Sequence, residues 1–274
     1  MDGLPSFTEH EGHTKLQPIS ADAYRPAGPV PFMRQWLADI ARSGRPASGP
    51  RILDVGCGRG DVVFWLLEQG WDAWGIDIES RYVDIGRDYL QRTGRDPDRI
   101  RVFNGATYPL FNGSFDVVIS DQVFEHVANL DALASEVSRV SHYGTLGLHI
   151  FPARWRPIET HMRTPFVHWL PKGTSRRQAL TGLLLMHCSA GYFADRTIAE
   201  RAEIFARFSD EETFYRPLRE IQETMQRHGM KVDAVRASRS KMMYHAPWLP
   251  ASVQPMAGWI YRNAFSVCIE TVQL

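Results

Sequence analysis

A doubly wound α/β architecture on a mostly parallel sheet is predicted by three features of this sequence. Short apolar runs alternate with stretches of helical periodicity from Arg51 to Phe151. The first run ends in a glycine-rich turn, Gly56-Cys57-Gly58-Arg59-Gly60, and a helical stretch follows at once. The run Phe115-Asp116-Val117-Val118-Ile119 is almost continuously apolar, as expected of a strand buried on both faces.

The elements follow in order. Residues 1–31 contain Pro5, Pro18, Pro26, Pro29 and Pro31, which prevent a long regular element and predict an extended arm. A helix is expected over 32–43, ended by Gly44, Pro46, Gly49 and Pro50. Arg51 to Val55 reads as the first strand. Asp61 to Gln69 reads as a helix with Gly70 as its stop. Trp74 to Asp77 is the second strand, and Ser80 opens a helix to Thr93. Strands are expected over 101–103, 115–119 and 146–151, with a helix over 130–140 between the last two. The rhythm breaks over 152–210, which is rich in aromatics, His and Pro and reads as a helical, aromatic lid inserted into the sheet domain. A helix is then expected over 211–229. The stretches 231–238 and 264–271 read as closing strands, with an antiparallel strand at the C-terminus. The resulting divisions are an arm (1–31), a core (32–151), the insertion (152–210) and a segment completing the sheet (211–274).

Composition narrows the function. The 274 residues carry 31 Lys plus Arg against 31 Asp plus Glu, a balance that argues against a broad nucleic-acid-binding face. No apolar run is long enough for a transmembrane helix, so no membrane insertion is expected. Residues 1–20 lack the basic start and apolar middle of a signal peptide. Cys57, Cys188 and Cys268 are odd in number and lack metal-like spacing, which fits a reducing, cytoplasmic setting.

The glycine turn permits close approach of a ligand at a helix N-terminus. A nicotinamide-dinucleotide fingerprint would need glycine where Asp61 stands, and that carboxylate would repel a pyrophosphate. Asp77 lies 21 residues after Gly56, a placement suited to accepting hydrogen bonds from both ribose hydroxyls. A ligand with a ribose but no phosphate fits this pattern, and S-adenosylmethionine has those parts.

Residues 51–152 resemble the class I S-adenosylmethionine-dependent methyltransferases of small-molecule type, a Rossmann-like family. The resemblance rests on Ile52-Leu53-Asp54-Val55-Gly56-Cys57-Gly58-Arg59-Gly60, Gly75-Ile76-Asp77-Ile78 and Tyr108 through Val118. It continues through Val123-Phe124-Glu125-His126-Val127 and Glu136-Val137-Ser138-Arg139-Val140. It implies that Gly56, Cys57 and Gly58 pass beside the methionine part of the cofactor, with Asp54 supporting the turn. It implies ribose binding by Asp77, with Ile78 against the adenine. The acidic residue that usually meets the adenine amino group is replaced by Asn104 or, one step out of register, Gly105; the Asn carbonyl oxygen can accept there without charge. His142-Tyr143-Gly144-Thr145 stands where the family usually shows a Pro-Gly-Gly turn. Ser120 and Asp121, ending the fourth strand, are expected to border the methyl group. Glu125 and His126 read as packing and capping residues.

The acceptor is expected under the insertion and the arm. Glu159 and His161 stand two apart, so in an extended segment they point the same way and form a base with an orienting carboxylate; His168 is the second choice. Their spacing matches no compact metal signature, and no metal is expected. Tyr24, Trp155, Arg163 and Trp169 are candidate acceptor contacts. The expected activity is O-methylation of a small hydroxylated metabolite, sugar or natural-product intermediate, with S-adenosylhomocysteine as the other product. The alternatives are N- or C-methylation, a protein or tRNA acceptor, and a non-catalytic cofactor-binding protein.

Overall fold

The computed structural model describes residues 23–42 and 49–274. The first 22 residues of the expected arm, and Gly44 and Pro46, lie outside the described residues. The first half runs α1 (Pro31–Arg42), β1 (Arg51–Val55), α2 (Asp61–Glu68), β2 (Asp72–Asp77), α3 (Ser80–Arg92), β3 (Ile100–Val102), β4 (Phe115–Asp121), α4 (Leu130–Val140) and β5 (Ser141–Pro152). The second half runs α5 (Thr174–Leu185), α6 (Ile198–Arg207), α7 (Leu218–Arg227), β6 (Met230–Asp233), α8 (Ala234–His245), α9 (Gln254–Ala264) and β7 (Ser266–Gln273).

The seven strands form one sheet in the order β3-β2-β1-β4-β5-β7-β6. Strands β1 to β5 pair in parallel, and β7 is antiparallel to both β5 and β6. Strand β7 therefore opposes all the others, as the antiparallel C-terminal strand requires. The strand order reverses between β1 and β4, so the ligand crevice of such a sheet opens at their carboxyl ends.

Alternation along the strands loads both faces. Ile52, Val117, Ile119, Leu148 and Ile150 face α1, α2, α3 and α8, whereas Leu53, Val55, Val118 and Phe151 face α4 and α7. A separate cluster of Met162, Val167, Leu180, Phe205 and Phe208 gives the inserted segment an apolar core of its own.

Two expectations are corrected. The helix expected from 211 begins at Leu218, because Pro217 occupies its N-cap and disfavours helix in the residue before it. Phe208–Glu212 instead forms a π-helical turn ending α6. The strand expected over 231–238 stops at Asp233, whose side chain accepts the Arg236 N–H and starts α8.

Candidate active site

The glycine turn folds back onto its own strand ends. Gly56 and Cys57 both donate their N–H to the Ile76 carbonyl, at 2.8 and 3.0 Å. Gly56 has φ +74°, and a Cβ there would lie 2.3 Å from Val123 Cγ2. Only glycine fits, and the contact seats the turn after β4 against the turn after β1. Cys57 is buried with its sulfur over Gly75, and burial pushes the thiol pKa well up, so it fills space rather than reacts.

Asp77 sits where the sequence placed it. Its Oδ2 accepts the Gly58 N–H at 2.7 Å and its Oδ1 accepts the Glu79 N–H at 2.9 Å. Each oxygen retains a second acceptor position. Burial raises the Asp77 pKa, and the backbone N–H groups only partly offset this. Asp54 is buried more deeply, and its pKa rises well above the ordinary range through desolvation and then the like charges of Asp121, Asp77 and Asp61. The ends of β1, β2 and β4 therefore bring Asp54, Asp77 and Asp121 near enough for like charge to add to the rise at Asp54. Ile78 is 58% exposed beside them, and a Cβ on Gly105 would meet its Cγ2 at 4.0 Å. The two residues expected to flank one ring face each other.

Three candidates lie elsewhere than expected. Ser120 is buried on the α4 face of the sheet, with its hydroxyl 2.9 Å from His149 Nδ1, so strand alternation turns it away from Asp121 and the crevice. The Asn104 carbonyl oxygen accepts the N–H groups of Ala106 and Thr107, each at 3.0 Å. Both its lone-pair positions hold its own loop, which leaves the amide to donate rather than accept. Tyr24 is packed against Phe64 and Tyr89, and its hydroxyl donates to the Arg59 carbonyl at 3.2 Å. Together with the Ala27 N–H on Asp61 at 2.7 Å, it pins the arm to the back of the glycine turn.

The inserted segment brings its polar residues together by a route other than the one expected. Ile158 bridges Pro165, and Glu159 donates its N–H to Thr164, so the chain turns back on itself instead of running extended. Glu159 Oε2 caps that turn by accepting the N–H groups of His161 and Met162. Its Oε1 meets His161 Nδ1 at 2.8 Å and accepts the Tyr215 hydroxyl at 2.6 Å. Burial alone would raise the Glu159 pKa; the His161 charge and these donors outweigh it and hold the group at about 2. His161 Nε2 lies 3.1 Å from His126 Nε2, and His126 Nδ1 lies 2.8 Å from the Glu212 carbonyl.

His126, read from sequence as a packing residue, is thus part of this array, and Tyr215 was missed. The sequence held one usable signal, the Glu125-His126 pair beginning four residues past the end of β4. His168 packs on the Tyr215 ring at 4.6 Å, and burial lowers its pKa to about 4. Trp155 and Trp169 pack edge to face at 5.7 Å with both rings exposed. Arg163 is exposed, with a left-handed φ of 54°. Gln122, one residue past β4, also has a positive φ of 59°, an unusual backbone at the mouth of the crevice.

Residues 53–146 match the methyltransferase domain family. The match covers about a third of the chain. A ubiquinone biosynthesis O-methyltransferase from Sinorhizobium fredii is 28% identical over 144 residues, covering 51% of this chain and 57% of that relative. The chain thus spans little more than half the length of the curated relatives it matches. Among solved structures, a phosphoethanolamine N-methyltransferase from Haemonchus contortus superposes with a TM-score of 0.53 at 16% identity, covering 99% of this chain and 60% of that one. A geranyl diphosphate C-methyltransferase from Streptomyces coelicolor A3(2) gives 0.50 at 16%, covering 88% and 78%. At such identities the likeness is one of fold. Among the described residues, no helix is long and apolar enough to cross a membrane.

Proposed function

We propose that the protein transfers a methyl group from S-adenosylmethionine to an oxygen atom of a small molecule in the cytoplasm, releasing S-adenosylhomocysteine. The observation that carries this reading is the Asp77 carboxylate at the end of β2, held beside the glycine turn by the Gly58 and Glu79 N–H groups. It suits a nucleoside whose reactive centre is a cationic sulfonium, and it repels a dinucleotide pyrophosphate. Asp77 would hold the ribose through the acceptor positions its backbone donors leave open, and Ile78 with Gly105 would flank the adenine.

The Glu159–His161–His126 array would serve the acceptor oxygen, with the inserted segment as lid. Glu159 and His161 are buried and His126 is half-buried, the carboxylate is ionised, and the Val123–Gly56 contact ties the turn bearing His126 to the glycine turn. Methyl transfer is an in-line displacement, so the acceptor must be aligned on the sulfonium carbon with water excluded. The exposed Trp155 and Trp169 rings would supply an apolar wall for it. The O-methyltransferase relatives support oxygen as the acceptor atom, and the balanced net charge supports a small molecule over a nucleic acid.

Calorimetric titration with S-adenosylmethionine, S-adenosylhomocysteine and NAD in parallel tests the reading. Binding of the first two without NAD is expected, followed by transfer of labelled methyl groups in an acceptor screen. Binding of NAD, or of none of the three, would refute it.

A further inference from the structure

We propose that His126, His161 and Glu125 form a binding site for one divalent transition-metal ion of the zinc type. All four acceptor positions of the Glu159 carboxylate are used: Oε1 by His161 Nδ1 and the Tyr215 hydroxyl, Oε2 by the N–H groups of His161 and Met162. A carboxylate surrounded by donors only accepts, so His161 Nδ1 carries a hydrogen. The partner of His126 Nδ1 is the Glu212 carbonyl, which also only accepts, so that nitrogen carries a hydrogen too. With hydrogens on both Nδ1 atoms, the two Nε2 atoms are the ring positions left to share a cation, and they face each other at 3.1 Å. A shared proton or a metal ion satisfies both nitrogens at that distance.

The geometry favours a metal ion as that cation. Nitrogens each about 2.0–2.1 Å from one tetrahedral zinc stand about 3.3 Å apart, and about 2.9 Å apart at a right angle. The observed separation falls between these values. A carboxylate oxygen of Glu125 completes a set whose ligand atoms all lie within 4.8 Å of one another. Two imidazoles and one carboxylate make a recurrent donor set for zinc and for non-haem iron, and it leaves coordination positions open. The far nitrogens are also arranged as in metal sites: one ring donates to a carboxylate and the other to a backbone carbonyl, which fixes tautomer and orientation. The three ligands come from the turn after β4 and from the inserted segment, so an ion would join the sheet to the insertion. If the methyl-transfer reading holds, the open position would take the acceptor oxygen, and the ion would lower the pKa of that hydroxyl in place of a free imidazole base.

The test uses untagged full-length protein, stripped with chelator and then titrated with Zn²⁺ alone and Co²⁺ alone. Metal analysis should give one ion per chain, and Co²⁺ should show visible absorption bands of a low-symmetry site with nitrogen ligands. His126→Ala and His161→Ala should lose the site, and Glu159→Gln should weaken it by about 10–100-fold. His142→Ala, at a surface His–Asp pair, should bind as wild type does. Imidazole nitrogen NMR of the wild type keeps the test independent of whether the variants fold: Zn²⁺ should move the Nε2 resonances of His126 and His161 together. No saturable binding, or a single shared proton between the rings that persists in excess Zn²⁺, would overturn the proposal. Calorimetry with S-adenosylmethionine on the stripped protein separates the two readings. Cofactor binding without metal binding refutes the ion alone, and metal binding without cofactor binding refutes the methyl-transfer reading alone.

Discussion

Replacing Asp77 with Asn tests the cofactor assignment with the least disturbance of shape. Both Asp77 oxygens accept backbone N–H groups, from Gly58 at 2.7 Å and Glu79 at 2.9 Å. An asparagine can satisfy one of these and must present its NH2 to the other, donor against donor. Two further acceptor positions, those proposed for the ribose hydroxyls, fall to one neutral acceptor. Charge-assisted hydrogen bonds contribute about 1.5–3 kcal/mol each, so losing the charge and one acceptor should cost about 3 kcal/mol of binding. That is a Kd weaker by about 100-fold. Stability should fall as well, by about 1–3 kcal/mol for the N–H left facing the new NH2 group, so the comparison is made on protein shown to be folded. The assay is calorimetric titration of S-adenosylmethionine into both proteins at neutral pH, with circular dichroism and thermal melting as controls. A Kd within about threefold of wild type in a folded variant would refute the ribose assignment, since a loss so small is below one hydrogen bond.

Three other outcomes follow from the same geometry. Burial pushes His149 down to about 3, so the fold holds it neutral while the unfolded chain protonates it near 6.5. Its contribution is present above that pH and is lost as pH falls, so urea unfolding at pH 5.5 against 7.5 should show about 1.4 kcal/mol that His149→Leu abolishes; an unchanged slope would contradict a neutral buried ring. Tyr24→Phe should lower stability by about 1 kcal/mol through loss of the bond to the Arg59 carbonyl and should weaken cofactor binding through the glycine turn; unchanged melting and Kd would mean that the arm does not support the turn. Glu159→Gln should leave cofactor affinity within about threefold and cut single-turnover methyl transfer by about 100-fold or more, and normal turnover would remove the array from the chemistry.

The sheet was legible because each strand was written locally. Apolar runs of strand length ended in glycine or aspartate, and helical periodicity stood between them. The cofactor crevice was legible for the same reason: Asp54, Gly56, Gly58 and Asp77 all lie on two strand ends whose pairing the alternation predicts. What stayed hidden depended on side-chain competition. Asn104 was assigned an acceptor role that its own loop had already taken. Ser120 was one residue out of phase with the crevice, and strand alternation turned it to the α4 face. The Glu159–His161 pair was found on an incorrect premise, since the chain there turns and the carboxylate caps the turn. His126 and Tyr215 lie 35 and 54 residues from His161 along the chain, and no local pattern joins them. The helix α8 was missed because its capping signal, Asp233, lay inside an apolar stretch that reads as strand.

The two polar centres have opposite electrostatic designs, and that contrast limits the chemistry. In the crevice, carboxylates crowd one another and the pKa of Asp54 rises through burial and like charge. This is an unfavourable arrangement for an empty site, and it improves when a cation enters. In the array, the single carboxylate of Glu159 is filled with donors and its pKa falls to about 2. Its charge is already balanced by these donors, and its contact with His161 Nδ1 orients that ring. A crevice that needs a positive ligand beside an array that aims two imidazole nitrogens at one point is poorly suited to a pyrophosphate cofactor or to a phosphate-rich acceptor near Asp121. It suits a sulfonium donor and an acceptor oxygen that must lose a proton as it is methylated. The glycine turn alone would admit several adenosine-containing ligands, and the carboxylates beside it favour one without phosphates, as the proposed donor is.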